Sequence, residues 1–356
     1  MKILYSFNKK GAEEQIWTTE IAQASTDRYQ FIPFNHVRYV DPGLIWRSQL
    51  LDDLYYERHP GLMRMYDDFR ALIEREQADA VIVDNVLPYH PDFLRTLPVY
   101  KVMRTSDGPV GAYDRDIPYT HAYDHVLYHS PAYSRDMGMA EKLRYVGKDN
   151  TDFWPFAAFD AGFDPTKTDE TILAHERDVD VIFIGSPHFN KMPFLARMMK
   201  ALKGRLVMIG FPWKYNVYMN VKHGWPGWVR PPIAPGRPYV DYYQRSKIGF
   251  NLHNRGDYTV GSYRLFDLPA NGVMQISDGG DYLGEFFEVG TEIERHRSAD
   301  ELIEKMHYYL DHDDERQRIA LAGYRRVMRD HRFKHRMKQA GELIERGMQR
   351  IGWKRP

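Results

Sequence analysis

The sequence predicts an α/β protein made of two Rossmann-like domains, and three observations carry that expectation. At 356 residues the chain exceeds what one hydrophobic core comfortably fills. Short apolar runs such as residues 80–84 (AVIVD) and 179–184 (VDVIFI) are typical of parallel strands buried on both faces. Residues 247–278 read as strand, polar loop, helix and strand, the order of a βαβ crossover.

Taken in order, residues 2–7 form a first strand, 8–11 a turn and 12–24 a helix. This is a Rossmann-like opening without the G-x-G-x-x-G dinucleotide fingerprint. Residues 31–60 are aromatic and irregular; a helix over 63–77 leads into the strand at 80–84. The strand over 99–104 runs into T-S-D-G-P, which sets Asp107 just past a strand end, where α/β sheets carry ligands. D-G-P is equally strong turn chemistry. His121, His125 and His129 recur every fourth residue, but Val126-Leu127-Tyr128 reads as strand, so they do not converge on a metal. His129 remains a candidate at that strand's end. Periodicity is lost over 150–170, and the second domain opens with the strand at 179–184 and the small-residue turn Gly185-Ser186. Lys191 stands near the start of the next helix, and Gly210 follows the strand at 205–209. Residues 211–238, rich in Trp, Pro and Gly, are too long for an ordinary connection. Helices are expected over 239–245, 298–311, 314–330 and 331–351, with the acidic run 311–315 capping the third of these. His331 and His335, among Arg and Lys, read as solvated.

Composition narrows the function. Acidic and basic residues balance at 49 each, which leaves no overall field for nucleic acid or anionic lipid. The absence of cysteine excludes disulfides and thiolate metal ligation. No apolar run approaches the roughly 20 residues that span a bilayer, and the start of the chain reads as a strand rather than a signal peptide. A cytoplasmic protein is the expectation.

Polar residues gather around the βαβ unit: Asn251, His253, Asn254, Arg255, Ser262 and Arg264. A helix starting near Gly261-Ser262-Tyr263 would carry Arg264 and Asp267 on one face, with Gly272 closing it. This R-x-x-D-x-x-x-x-G arrangement resembles the nucleotide-sugar site of two-domain (GT-B) glycosyltransferases, whose motif often reads E-x7-E with glycine five residues after the second acid. The wording G-S-Y-R-L-F-D-L-P-A-N-G looks most like the CgeB-like, spore-maturation branch of the group 1 glycosyltransferases. The second acid falls on Asp267; the first falls on Thr259, so the usual acid near the sugar is missing. The resemblance is continuous from about residue 179 to 336 and weaker over the first 165.

The resemblance implies a first domain over 1–165, a donor domain over 166–330 facing it across a cleft, and a helix over 331–356 crossing back to the first domain. It implies donor binding by Gly185, Ser186, Lys191, Gly210, Asn251, His253, Gly261, Ser262, Tyr263, Arg264, Asp267 and Gly272. Lys191 would meet the diphosphate, and Asp267 the ribose. The family's frequent Arg after the glycine is Ser186 here. Asp107, then His129, are the candidates for a base that deprotonates an acceptor hydroxyl if the enzyme inverts; a retaining enzyme needs none. A nucleotide-diphosphate sugar is the expected co-substrate, with no cofactor and no metal; the acceptor is a glycan, a protein or another hydroxyl compound. Asp178-Val179-Asp180 precedes its strand, whereas the D-x-D of a metal-dependent one-domain transferase follows one. A nucleotide-sugar epimerase of the same fold, or a non-catalytic nucleotide- or glycan-binding protein, are the alternatives.

Overall fold

The computed structural model describes every residue except 42–50, 85–86, 106–115, 135, 175, 186–188, 211–216, 219, 223, 225–236, 254–260 and 356. Asp107, Ser186, Asn254, Arg255, Thr259 and most of 211–238 therefore lie outside the described residues. The chain divides into two compact units. One comprises residues 1–155 with 333–356, and the other 156–332. The first division falls ten residues before the one expected from loss of periodicity, since Phe156 and Phe159 already pack on Tyr263 of the second unit.

The first unit holds six parallel strands: β1 (Lys2–Phe7), β2 (Gln30–Asn35), β3 (Ala80–Asp84), β4 (Tyr100–Thr105), β5 (His125–Tyr128) and β6 (Thr151–Phe153). Their order is β2-β1-β3-β4-β5-β6. The V-I-V run of β3 sits near the middle with every residue buried, as a strand covered on both faces requires. Crossovers include α1 (Ala12–Gln23) and α3 (Pro60–Glu76), with α2 (Leu51–Tyr56), α4 (Pro91–Arg95) and α5 (Met139–Tyr145) shorter. Strand β2 and helix α2 lie within the stretch whose sequence gave no clear pattern.

The second unit is a five-stranded parallel sheet of β7 (Val179–Ile184), β8 (Leu206–Ile209), β9 (Ser246–Asn251), β10 (Met274–Ser277) and β11 (Glu294–Arg295). The order is β11-β10-β9-β7-β8. Its helices are α6 (Met192–Leu202), α7 (Arg237–Gln244), α8 (Arg264–Ala270), α9 (Ala299–Asp311) and α10 (Asp313–Asp330). The βαβ unit is β9-α8-β10, but α8 begins two residues later than Ser262. Tyr263 takes the N-cap position, because the Ser262 hydroxyl is engaged by Asn251. Asp313, Asp314 and Glu315 occupy the first turn of α10, where the helix dipole favours acids. His331 is not solvated: it is buried against Phe266, Phe286 and Phe287, with Nε2 2.8 Å from the Phe286 carbonyl. The neighbouring Arg329 and Arg332 misrepresent its environment, because they pair with Asp330 and Asp160 while the His331 ring turns into the phenylalanines.

The last helix, α11 (Phe333–Arg350), belongs to the first unit. The Trp154 indole N–H donates to the Arg336 carbonyl at 2.6 Å, and the Tyr29 hydroxyl donates to Glu345 at 3.0 Å. Gly341 lies flat on the Tyr29 ring; a Cβ there would stand 2.6 Å from Cγ. Gly341→Ala should therefore overpack this seam and lower stability by roughly 1–3 kcal/mol. Urea unfolding checks it, and an unchanged midpoint would mean the helix does not dock this closely.

Candidate functional site

The connections leaving β7 and β9 run in opposite directions, so the second sheet has a topological switch point between these strands. Ligands of open α/β sheets bind at the carboxyl ends there. Gly185, Asn251 and His253 follow those ends directly. Gly185 donates its N–H to the Ile209 carbonyl at 3.0 Å, which draws the ends of β7 and β8 together. Gly210, with φ of +112°, closes the same turn; a side chain there would overlap the Gly185 carbonyl.

Arg264 opens α8 but reaches back across this edge rather than outward. Its guanidinium lies 4.7 Å above the Phe183 ring, donates Nε–H to the Ile184 carbonyl and donates from Nη1 to Asn251 Oδ1. Asn251 in turn donates to the Ser262 hydroxyl at 3.1 Å. A Cβ on Gly185 would fall on Arg264 Nη2, so the glycine leaves the seat that the guanidinium occupies.

Lys191 ends the 3₁₀ turn Phe189–Lys191 and is 8% exposed. Burial pulls its ammonium down to about 8; the neighbouring Arg264 adds to the fall, and Asp278 opposes it. Among the described residues Lys191 makes no hydrogen bond or ion pair. Two cations thus share one edge, with Asp278 acting on Lys191 through space and no direct ion pair to it among the described residues.

Asp267 lies one turn along α8. No ion pair joins it to Arg264 among the described residues. Its carboxyl faces Gly162, and burial raises it to about 8, with Arg264 opposing the rise. Asn271 braces the helix end by donating to the Asp267 and Gly162 carbonyls, each at 2.8 Å. Arg177 was not singled out by sequence. It is buried and donates to the carbonyls of Tyr243, Ser246, Ile172 and Asn271, which fixes the C-terminal end of α8. Nothing in its sequence surroundings marks that role.

The candidate residues therefore divide. Gly185, Lys191, Gly210, Asn251, His253, Gly261, Ser262 and Arg264 lie at or beside the carboxyl edge. Tyr263 instead packs with Phe156 and Phe159, at ring distances of 4.4 and 5.3 Å. Gly272 is at the opposite end of α8, against Ile172 and Arg177, and does not join the group. In the first unit His129 is buried with Nδ1 on the Thr105 carbonyl. Asp178 and Asp180 mark the amino end of β7, where Arg245 holds the first and Arg205 and Lys247 the second. His125 meets Asp152 at 2.9 Å. No group of three or more metal-ligating side chains occurs among the described residues, nor any helix long and apolar enough to cross a membrane.

The model of the glycosyl transferase-like family matches residues 192–342, from α6 to α11. Solved structures match over nearly the whole chain at low identity. Sucrose-phosphate synthase from Thermosynechococcus elongatus is 12% identical, with a TM-score of 0.66 over 97% of this chain and 98% of that one. A glycosyltransferase from Rickettsia africae is 13% identical, with a TM-score of 0.62 over 98% of each chain. The fold is GT-B. Anabaena HepE, solved with UDP and glucose, is 12% identical with a TM-score of 0.60, over 97% of this chain and all of that one. No curated protein matches in sequence.

Two tests follow from this geometry. Gly185→Ala should displace the Arg264 guanidinium and lower nucleoside-diphosphate affinity about tenfold, roughly 1.4 kcal/mol, with the fold intact by circular dichroism. Unchanged affinity by calorimetry would remove Arg264 from the binding edge. Asp267 titrates well above an unfolded carboxyl, so its contribution to stability is full below about pH 4 and fades as pH rises toward 8. Asp267→Asn should then raise the melting temperature at pH 8 but not at pH 4, by an amount equivalent to about 1–2 kcal/mol. Equal shifts at both pH values would show that the carboxyl is not held protonated.

Proposed function

We propose that this protein is a glycosyltransferase of the CgeB-like branch, which moves a sugar from a nucleoside-diphosphate sugar to a hydroxyl acceptor without a divalent metal. The observation that carries the reading is the cation pair Lys191 and Arg264 at the β7–β9 switch point. A diphosphate would supply the direct ion pair that Lys191 does not make among the described residues. As the bond from the sugar to the diphosphate breaks, negative charge grows on the departing oxygen, and fixed cations at that point stabilise it more than they stabilise the bound donor. Asp267, although burial raises it to about 8, keeps oxygen lone pairs that accept from the ribose hydroxyls. The glycosyl transferase-like family match over the segment carrying Lys191's helix, Arg264 and Asp267 supports this, as does the occurrence of UDP in the HepE structure. For an inverting reaction Asp107 is the proposed base. His129 ranks behind it, since its Nδ1 is already engaged by a carbonyl. The proposed acceptor class is a glycan, a protein or another hydroxyl compound.

Purified protein mixed with a panel of nucleotide sugars in EDTA tests the reading. Release of nucleoside diphosphate, by transfer or slow hydrolysis, is expected. An altered sugar would make it an epimerase, saturable binding without turnover a binding protein, and activity that requires added manganese or magnesium would overturn metal independence. Lys191 supplies a sharper check. Nucleoside-diphosphate affinity should fall as pH rises through about 8, when the ammonium loses its proton. Lys191→Met should weaken binding by about 1.5–3 kcal/mol and flatten that pH profile. A profile that stays steep in the variant would assign it to another group.

A further inference from the structure

Asp278 immediately follows β10, and His253 stands two residues beyond β9. The parallel register pairs Ser277 with Asn251, which brings both residues to the same edge of the sheet. Both oxygens of Asp278 are committed to His253. Oδ2 accepts the His253 backbone N–H at 2.6 Å, and Oδ1 lies 2.6 Å from the ring Nδ1. A carboxylate only accepts, so the proton of this contact is on Nδ1. Nε2, on the opposite edge of the ring, is buried and has no partner among the described residues.

We propose that Asp278 is a positioning residue: it holds His253 in the Nδ1–H form, so that Nε2 presents a lone pair to a hydroxyl of the sugar carried by the bound nucleotide. This rests on the donor-site reading above and adds to it a residue and a contact. A buried acceptor without a partner is costly in the free protein, and a ligand O–H removes that cost. The charges around the dyad favour a hydroxyl over a phosphate. Lys191 and Arg264 already provide cations, and Lys191 lies within electrostatic range of Asp278. His296, after β11, also senses Asp278, but burial keeps it from charging and its Nε2 meets the Asn251 carbonyl at 3.3 Å. A lone pair on a neutral ring repels phosphate oxygens and accepts from a hydroxyl. Ribose hydroxyls are assigned to Asp267, which leaves the transferred sugar as the partner of His253.

The test uses the full chain with nitrogen-15 histidine. In the wild type, ring-nitrogen NMR should show His253 with a protonated Nδ1 and a pyridine-type Nε2. Asp278→Asn keeps an acceptor for the backbone N–H but offers a donor to the ring, so the His253 signals should move toward the Nε2–H form. In the same variant, affinity for the nucleotide sugar by calorimetry should fall roughly tenfold, while affinity for the nucleoside diphosphate stays within about twofold. His253→Ala should lose the same discrimination, and the double variant should lose no more, as expected for residues acting as one unit. Unchanged ring signals in Asp278→Asn, or equal losses for the two ligands, would overturn the inference and leave the donor-site reading standing. A wild-type protein that binds neither ligand would overturn that reading and the hydroxyl contact with it, whatever the tautomer.

Discussion

The arrangement at the carboxyl edge of the second sheet depends on one steric constraint, the missing side chain at Gly185. The Arg264 guanidinium lies where that side chain would be, stacked on Phe183 and tied to the end of β7 through the Ile184 carbonyl. From there it reaches Asn251 at the end of β9, which in turn meets Ser262 at the approach to α8. One guanidinium thus links the two strands that flank the switch point and the helix that follows. Gly210 protects the same contact from the other side, since the turn after β8 closes directly on the Gly185 backbone. Backbone compactness here is a precondition for bringing positive charge to the edge.

That charge is costly to hold. Burial works against the charge of both Arg264 and Lys191; Arg264 adds to the fall at Lys191, and Asp278 opposes it at each. A folded protein tolerates such an arrangement because the remaining core supplies far more stabilisation than one repulsive pair removes. The residues of the second unit show where some of it comes from: Val181, Phe183, Ile248, Phe250, Met274 and Ile276 are all buried in one apolar cluster directly beneath the polar edge. An anion between the two cations would be attracted to both and would screen their repulsion, which is how the cost in the free state would favour the proposed diphosphate.

Much of this fold was legible in the sequence because parallel strands buried on both faces need runs such as A-V-I-V-D and V-D-V-I-F-I, whatever surrounds them. The βαβ unit was legible for the same reason, and spacing along that one crossover put Arg264 and Asp267 on its helix. What sequence could not show was direction. Nothing in R-L-F-D indicates that the arginine turns back under the β7 turn while the aspartate faces Gly162 on another segment. His331 failed for a related reason: its sequence neighbours are charged, but its spatial neighbours are three phenylalanines from elsewhere in the unit. Asp278 and Arg177 were missed because, Ile172 apart, the partners described for their side chains are 25 to 94 residues away, beyond any local pattern.

The two sheets end in polar groups of opposite character. In the first unit, at its own switch point between β1 and β3, Arg104 donates to Asp84 at 2.8 Å and to the Tyr5 hydroxyl, and its guanidinium lies 4.5 Å from the Trp154 ring. Ser6 meets His36 Nδ1 at 3.0 Å and the Tyr89 hydroxyl at 2.6 Å, while burial drives His36 down to about 3 and keeps it neutral. These bonds tie the ends of β1, β3 and β4 together, so the groups brace the core of the first unit. In the second unit the corresponding edge keeps the half-compensated Lys191 ammonium and, among the described residues, an unpaired imidazole nitrogen on His253. A buried polar group left unpaired in a native structure is retained for something outside the chain to complete. Both sheets share the topology that invites ligands, so it is the cationic edge with its unpaired imidazole nitrogen, and not the fold, that favours the second unit for the proposed donor site.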